Sequence, residues 1–236
     1  MRPIFIHCAA VLAAAALCAG AAPALGQMPG GQGGMGRPSG MSQPGEEITT
    51  TPAVDKPDAA ATKAYTAGKK SMAKALAFEN AAAVAPNPDK KSIALEKMGD
   101  AYNRALDQFT EALSNKGDLV EAWNEVGYIH LRLGAYTESI DDYNHTLALK
   151  PDLYPATLHR AEAYLAVDRL DDAKRAYMDL FNHARPLADE LMTAMQKWLA
   201  AHRTDANGMR VADVDSFDKW LQEQGGIAKQ TASLPR

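Results

Sequence analysis

Between Glu121 and Pro151 the chain carries small and aromatic residues at helical spacing on both sides of a single turn. Parts of this pattern return upstream and downstream at an interval of 34 residues. The repeated pairs are a small residue and an aromatic residue four positions later: Ala105 and Phe109, Ser139 and Tyr143, and Ala173 and Tyr177. A unit of this length holds two short helices and cannot bury its own apolar face. The interval therefore predicts a stack of helical hairpins.

The central stretch resembles a tetratricopeptide repeat, whose pattern is W-x2-L-G-x2-Y, then A-x3-F, then P. The matching positions are Trp123, Val126, Gly127, His130, Ser139, Tyr143 and Pro151. Gly127 and Ser139 are expected to let two backbones approach, Gly134 to end the first helix, and Pro151 to begin the next unit. His130 stands where the pattern has tyrosine, and we expect it to pack there.

The resemblance implies an all-α fold, a tetratricopeptide-type helical hairpin array (an α-solenoid) with a C-terminal capping helix. The helical domain is predicted over residues 59–203, with the clearest repeats at 119–151 and 153–185. Upstream of them, Ala59 to Ala85 reads as helical, either as one helix that tolerates Gly68 or as two short helices. Asp89 is placed to cap a second helix that ends near Asn115.

After the repeats, one apolar face predicts the capping helix, through Leu187, Leu191, Met195 and Trp198. Residues 204–236 are predicted to form a loop, a short helix and a frayed tail. That helix is expected from Ser216 to Gln224, and Gly225-Gly226 is expected to stop it.

The first 26 residues predict a cleaved secretory signal peptide. Arg2 precedes an apolar run that is too short to span a membrane, and small residues follow it. Both cysteines, Cys8 and Cys18, lie in this segment, so the mature chain would hold no thiol. We therefore expect a periplasmic or secreted protein, with no stable membrane span after signal cleavage. The formal net charge of −4 gives no electrostatic reason to bind nucleic acid.

Residues 27–58 are rich in Gly, Pro, Ser and Gln and lack apolar periodicity, which predicts a disordered linker. Met28, Met35 and Met41 punctuate this segment, and spaced thioethers can bind Cu(I) because both partners are soft. Copper handling by this tail is therefore one alternative function.

No nucleophile elbow, Gly-rich phosphate loop or HExxH motif occurs in the chain. We therefore expect a protein that is not an enzyme and that uses no metal or cofactor. The acidic pairs Asp141-Asp142 and Asp171-Asp172 are expected to solvate the outer face near the starts of second helices.

In tetratricopeptide proteins the first helix of each unit lines a concave groove, and the resemblance implies the same surface here. The candidate partner-binding residues are Glu121, Asn124, Tyr128, Leu131, Arg132, Leu158, Glu162 and Leu165. Their mixture suits an extended peptide or a helix of a partner protein whose identity the sequence does not give. The chain would then be a non-enzymatic interaction module or scaffold, and the alternative function is that of a general holdase chaperone. A separate alternative is that the N-terminal helices of the chain itself fill the groove.

Overall fold

The computed structural model describes residues 59–203 and 211–232. Within those ranges the chain forms eight helices and no strand. The helices are α1 (Ala59–Ala83), α2 (Pro88–Asn115), α3 (Val120–Leu133), α4 (Tyr136–Leu149), α5 (Tyr154–Ala166), α6 (Leu170–His183), α7 (Arg185–His202) and α8 (Val211–Ala232). None of these described helices has both the length and the apolar character that crossing a lipid bilayer requires. The predicted signal peptide and the predicted linker lie outside the described residues.

The two central hairpins, α3–α4 and α5–α6, are built in the same way. α3 ends at Gly134, whose φ of 81° lies in the left-handed region, and Asp168 occupies the equivalent place in the next turn with a φ of 59°. Glycine adopts this conformation without a Cβ clash, whereas aspartate adopts it at a small cost. The predicted role of Gly134 is thus confirmed, and the fold is the predicted tetratricopeptide-type array of helical hairpins.

Close approach within the α3–α4 hairpin depends on small residues. Ser139 is fully buried and its hydroxyl donates to the carbonyl oxygen of Gly127 at 2.8 Å. A Cβ added at Gly127 would lie 3.2 Å from ring carbons of Tyr143, so any larger residue would push that ring away. Both residues therefore act as the repeat pattern predicts.

Pro151 does not begin a helix. It lies in the turn after α4, and α5 begins at Tyr154 with Pro155 in its first turn. A proline is tolerated there because the first turn of a helix has no use for its missing N–H. The prediction that Pro151 begins the next unit was wrong, and Pro155 is the proline at the start of that helix.

The first hairpin is longer than the others. α1 is one helix that runs through Gly68, where an added Cβ would lie 2.5 Å from the ring of Phe109. The first of the two alternatives for this segment is therefore correct. α2 begins two residues earlier than predicted, and its cap is Asn87 rather than Asp89, because the Asn87 side chain accepts from the Lys90 amide at 2.9 Å.

Two helices close the other end of the array. α7 packs on α5 and α6 and buries Leu191, Met195 and Trp198, as predicted for the capping helix, while Leu187 is partly buried. α8 in turn packs on α7. It is longer than predicted, since it continues through Gly225-Gly226 to Ala232, and these glycines do not stop it.

Apolar packing divides into two clusters. One joins α1, α2 and α3, and the other joins α5, α6, α7 and α8 with Ile140 of α4. The largest fully buried side chains are aromatic: Tyr102, Tyr143, Tyr177, Phe109 and Phe217. Truncating a buried aromatic of this kind typically costs about 3–5 kcal/mol, so each of these rings contributes substantially to the stability of the stack.

Candidate functional site

The first helices of three successive hairpins, α1, α3 and α5, together line a shallow depression of about 220 Å³. Three consecutive hairpins contribute because they stack with their first helices side by side. The lining residues are Lys69, Met72, Leu76, Asn124, Glu125, Tyr128, Pro155 and His159. We call this surface the groove. It lies on the first helices of the hairpins, where the repeat resemblance predicts the partner-binding surface, and α1 forms one wall of it.

Two ion pairs connect α1 to α3 along the groove. Lys69 Nζ lies 2.6 Å from Glu125 Oε1, and one turn before the end of α1 Glu79 pairs with Arg132. Glu79 also accepts a hydrogen bond from the Tyr102 hydroxyl at 2.9 Å. The hydrogen bond to Glu125 raises the pKa of Lys69 and keeps it charged. These pairs link α1 to α3, while α1 packs mainly on α2.

Tyr128 lies at the centre of the groove. It is half-buried, and its ring meets the imidazole of His159 edge to face with centroids 5.4 Å apart. His159 Nδ1 lies 3.1 Å from a carboxylate oxygen of Glu162, which orients the imidazole. Burial, with Glu162 and Glu125 nearby, raises the pKa of the Tyr128 hydroxyl. The hydroxyl is therefore a neutral hydrogen-bonding group at any ordinary pH.

The predicted residues on α3 occupy several environments. Asn124 and Tyr128 line the groove, and Glu121 is exposed near the start of the helix. Leu131 packs against the C-terminal apolar cluster, and Arg132 is engaged by Glu79. Two of the five thus reach the depression itself.

The predicted residues on α5 are placed differently. Leu158 and Leu165 are each only 4% exposed and belong to the core, so the prediction that they face the groove was wrong. Both leucines belong to the apolar cluster that α5 shares with α6, α7 and α8, and α7 packs directly against α5. Glu162 is half-buried, and its carboxylate is directed to His159.

Sequence reasoning missed the groove residues of α1, namely Lys69, Met72 and Leu76. The 34-residue interval does not extend into this helix. Gly127 faces the ring of Tyr143, and the glycine that faces the ring of Phe109 in the same way is Gly68, which does not lie 34 residues before Gly127. Glu125, Pro155 and His159 also line the groove and were not among the predicted residues. A signal was present, because Pro155 and His159 lie one helical turn apart on the first helix of the second clear repeat.

The described residues contain no group of three or more His, Cys, Asp or Glu side chains that could hold a metal ion. The three methionines proposed for Cu(I), Met28, Met35 and Met41, lie outside the described residues. What the groove offers chemically is an aromatic floor, apolar walls and charges that are already paired. Such a surface can hold a chain through packing and hydrogen bonds.

No protein-family model matches the chain. Among curated proteins it is 27% identical over 79 residues to the protein SGT1 homolog of Oryza sativa subsp. japonica, a match that covers 34% of this chain and 22% of that protein. The chain thus spans about a fifth of the length of this relative.

Two solved structures are similar to parts of the chain. The TPR2B domain of yeast Sti1, in its pHsp70 complex, is 14% identical with a TM-score of 0.36, and the match covers 70% of this chain and 97% of that one. The MamA RS-1 ArsTM double mutant is 16% identical with a TM-score of 0.36, covering 72% and 98%. The tetratricopeptide-type fold of the described residues rests on their own hairpin geometry.

Proposed function

We propose that this protein is a non-enzymatic interaction module or scaffold that binds a peptide segment or a helix of a partner protein in the groove. The observation that carries the proposal is the depression of about 220 Å³ in which three first helices surround the half-buried ring of Tyr128. An aromatic ring with an exposed edge loses little conformational freedom on binding and offers a large contact area.

The lining indicates what kind of segment fits. Met72, Leu76 and Pro155 provide apolar contacts around Tyr128, while Lys69 is neutralised by Glu125. A strongly charged ligand would have to break that ion pair to gain a partner. We therefore propose a segment with a small or medium apolar side chain directed at Tyr128, and not a terminal carboxylate.

The proposal also places the protein in the periplasm or outside the cell. Supporting it are the apolar segment before Gly26 and the position of both cysteines within it. Mass determination of the N-terminus of the protein isolated from its native cells tests this. A mature chain that begins close to Gln27 is the expected result, and a chain that retains Cys8 and Cys18 would contradict it.

Photo-crosslinking from inside the groove tests the binding site. Replacing Tyr128 with p-benzoylphenylalanine keeps an aromatic ring at that place, and ultraviolet light then links it to whatever lies within reach. Leu149, an exposed apolar residue at the end of α4, provides the matched control position. We expect a discrete protein adduct from position 128 that position 149 does not give.

The Tyr128→Ala variant supplies the second measurement. Loss of a central aromatic contact at an interface commonly costs about 2 kcal/mol or more, which is roughly a 30-fold loss of affinity for the captured partner. Identical adducts from positions 128 and 149, or an affinity that Tyr128→Ala leaves unchanged, would show that the groove is not the binding site.

A general holdase is the second candidate, favoured by exposed apolar side chains near the turn between α1 and α2. Val84 is 80% exposed and Ile93 is 51% exposed. A holdase would suppress aggregation of several unrelated unfolded proteins, and a Val84→Ser, Ile93→Ser variant would lose this effect. Retention of one crosslinked partner by the same variant would favour the interaction module.

A further inference from the structure

A second cleft, of about 410 Å³, lies between α2, α3 and α4, on a different side of α3 from the groove. Its lining is mainly apolar, and the residues are Leu106, Thr110, Leu113, Ser114, Trp123, Val126, His130 and Asp142. Its volume falls in the range of small-molecule sites, which is about 300–1,000 Å³.

The cleft contains one polar pair. His130 Nδ1 donates to Asp142 Oδ2 at 2.6 Å, and the two side chains are 21% and 11% exposed. Asp142 was expected to solvate the outer face, but it is largely buried because it holds this imidazole. The hydrogen bond engages Nδ1, so the opposite ring nitrogen, Nε2, is the one that can meet a ligand.

The following unit shows that the fold does not require this pair. The residues 34 positions after Val126, His130 and Asp142 are Arg160, Tyr164 and Ala176. There, Arg160 lies over the ring of Tyr164 at 5.7 Å and donates to Asn144 Oδ1 at 2.7 Å, so these side chains occupy the equivalent space. Tyr164 is buried. One repeat junction is thus filled, while the other keeps a cleft with a His–Asp pair in its wall.

A buried polar pair rarely stabilises a fold more than well-packed residues of similar volume do. The pair at His130 and Asp142 therefore suggests a role other than packing. Because Asp142 holds Nδ1, the imidazolium form is favoured and Nε2 becomes a donor, an arrangement that suits an anionic acceptor. This preference corresponds to a pKa of His130 raised above its ordinary value by the hydrogen bond to Asp142, with Glu138 adding a smaller effect.

We propose that this cleft binds a small, mainly apolar carboxylic acid. The ligand carboxylate accepts a hydrogen bond from His130 Nε2, and its apolar body packs among Leu106, Leu113 and Trp123. The imidazolium then lies between two carboxylates. Its positive charge offsets the repulsion between Asp142 and the ligand carboxylate. The site is separate from the groove and independent of any protein partner.

The Trp123 indole provides a direct probe, since its Nε1–H donates to the Gly117 carbonyl oxygen at 2.8 Å beside the cleft. Titration of the folded chain with 3-phenylpropionate is followed through the Trp123 indole resonance in a proton–nitrogen correlation spectrum. The resonance is assigned with a Trp123→Phe variant. We expect a saturable shift with a dissociation constant of about 1 mM or lower for a ligand of this size.

Two variants test where the acid binds. His130→Tyr with Asp142→Ala introduces two of the three residues of the next unit, removes the His–Asp pair and puts a larger ring into the cleft, so the saturable shift should be lost. Thr110→Phe, at an exposed position on α2, obstructs the cleft without entering the core and should weaken binding at least about tenfold. Tyr128→Ala, which alters the groove, should leave binding unchanged.

The amine 3-phenylpropylamine tests the head group. The proposal requires that it bind at least about tenfold more weakly than the acid, because an ammonium ion can only donate. An amine that binds as well as the acid, no saturable shift from the acid, or equal binding of the acid to wild type and to both cleft variants would each overturn the proposal.

Discussion

At the scale of single residues, Gly68 and Phe109 define the tightest contact of the first hairpin. The Phe109 ring is fully buried and sits where a Cβ of residue 68 would be, so the ring and the glycine are mutually dependent. Gly99, in the other helix of the same hairpin, has no atom within 4 Å of an added Cβ. The two glycines therefore differ in what an alanine would do.

Gly68→Ala should destabilise the protein even though alanine is the better helix former. Overpacking against a buried ring typically costs about 1–3 kcal/mol, which exceeds the propensity gain of about 1 kcal/mol. Gly99→Ala should keep that gain and stabilise by about 0.5–1 kcal/mol. Urea unfolding followed by circular dichroism measures both, and equal stabilities of the two variants would contradict this account.

The His130–Asp142 pair should make stability depend on pH. The hydrogen bond raises the folded-state pKa of His130 above 6.5, its ordinary value, so the folded state binds this proton more tightly than the unfolded state. The pair's contribution to the free energy of unfolding is fully present below the ordinary pKa of 6.5 and is lost as pH rises through the folded-state pKa. The stability advantage of wild type over Asp142→Asn should therefore shrink between slightly acidic and alkaline pH.

Unfolding curves collected across that pH interval measure the difference. His130→Gln provides the control, because glutamine cannot titrate. The difference in unfolding free energy between His130→Gln and the doubly substituted His130→Gln, Asp142→Asn chain should therefore not change with pH. A wild-type advantage that grows with pH would have the wrong sign for this pair.

At the scale of elements, α8 shows where local signals mislead. Gly-Gly usually marks a helix end, yet α8 continues through Gly225 and Gly226, and an alanine Cβ at either would meet nothing. Its position is secured elsewhere, since Phe217 is fully buried beside Trp198 and Trp220 meets Tyr177. Tertiary packing upstream, together with Arg185 reaching the Ala228 carbonyl, supports a segment of low helix propensity.

The double substitution Gly225→Ala, Gly226→Ala distinguishes a helix interior from a helix stop. In a helix interior each alanine should add about 0.5–1 kcal/mol to helix stability, and helical content should rise. If either glycine instead had the left-handed conformation of a helix end, alanine would destabilise it. Circular dichroism and thermal unfolding of the double variant decide between the two.

The hairpins α3–α4 and α5–α6 could be predicted because their small and aromatic positions recur at the repeat interval. For the first hairpin the sequence predicted two helices but not how they pack, since the extra length of the hairpin places α1 outside the 34-residue interval. For the same reason the α1 wall of the groove, with Lys69 opposite Glu125, could not be located from the sequence. Leu158 and Leu165 were assigned wrongly for another reason: the apolar pattern predicted α7 itself, but not that α7 packs against α5.

At the scale of the whole array, protection should vary along the chain. The central helices α3 to α6 are packed on both sides by neighbouring helices, whereas Val84, in the turn between α1 and α2, and Ile93, near the start of α2, are exposed. Hydrogen exchange followed by mass spectrometry should show slow exchange in α3 to α6 and fast exchange around residues 84–93. Uniform protection over all eight described helices would instead indicate one cooperative unit.

The principal contacts of every described helix are with helices one or two places away in the chain. Such an array has a low contact order, which is associated with fast folding. Because a helix needs only those just before it to begin packing, a chain that emerges N-terminus first can assemble in the order in which it appears. The long α1–α2 hairpin, complete by Asn115, would then fold first during synthesis and provide the surface against which the later helices pack.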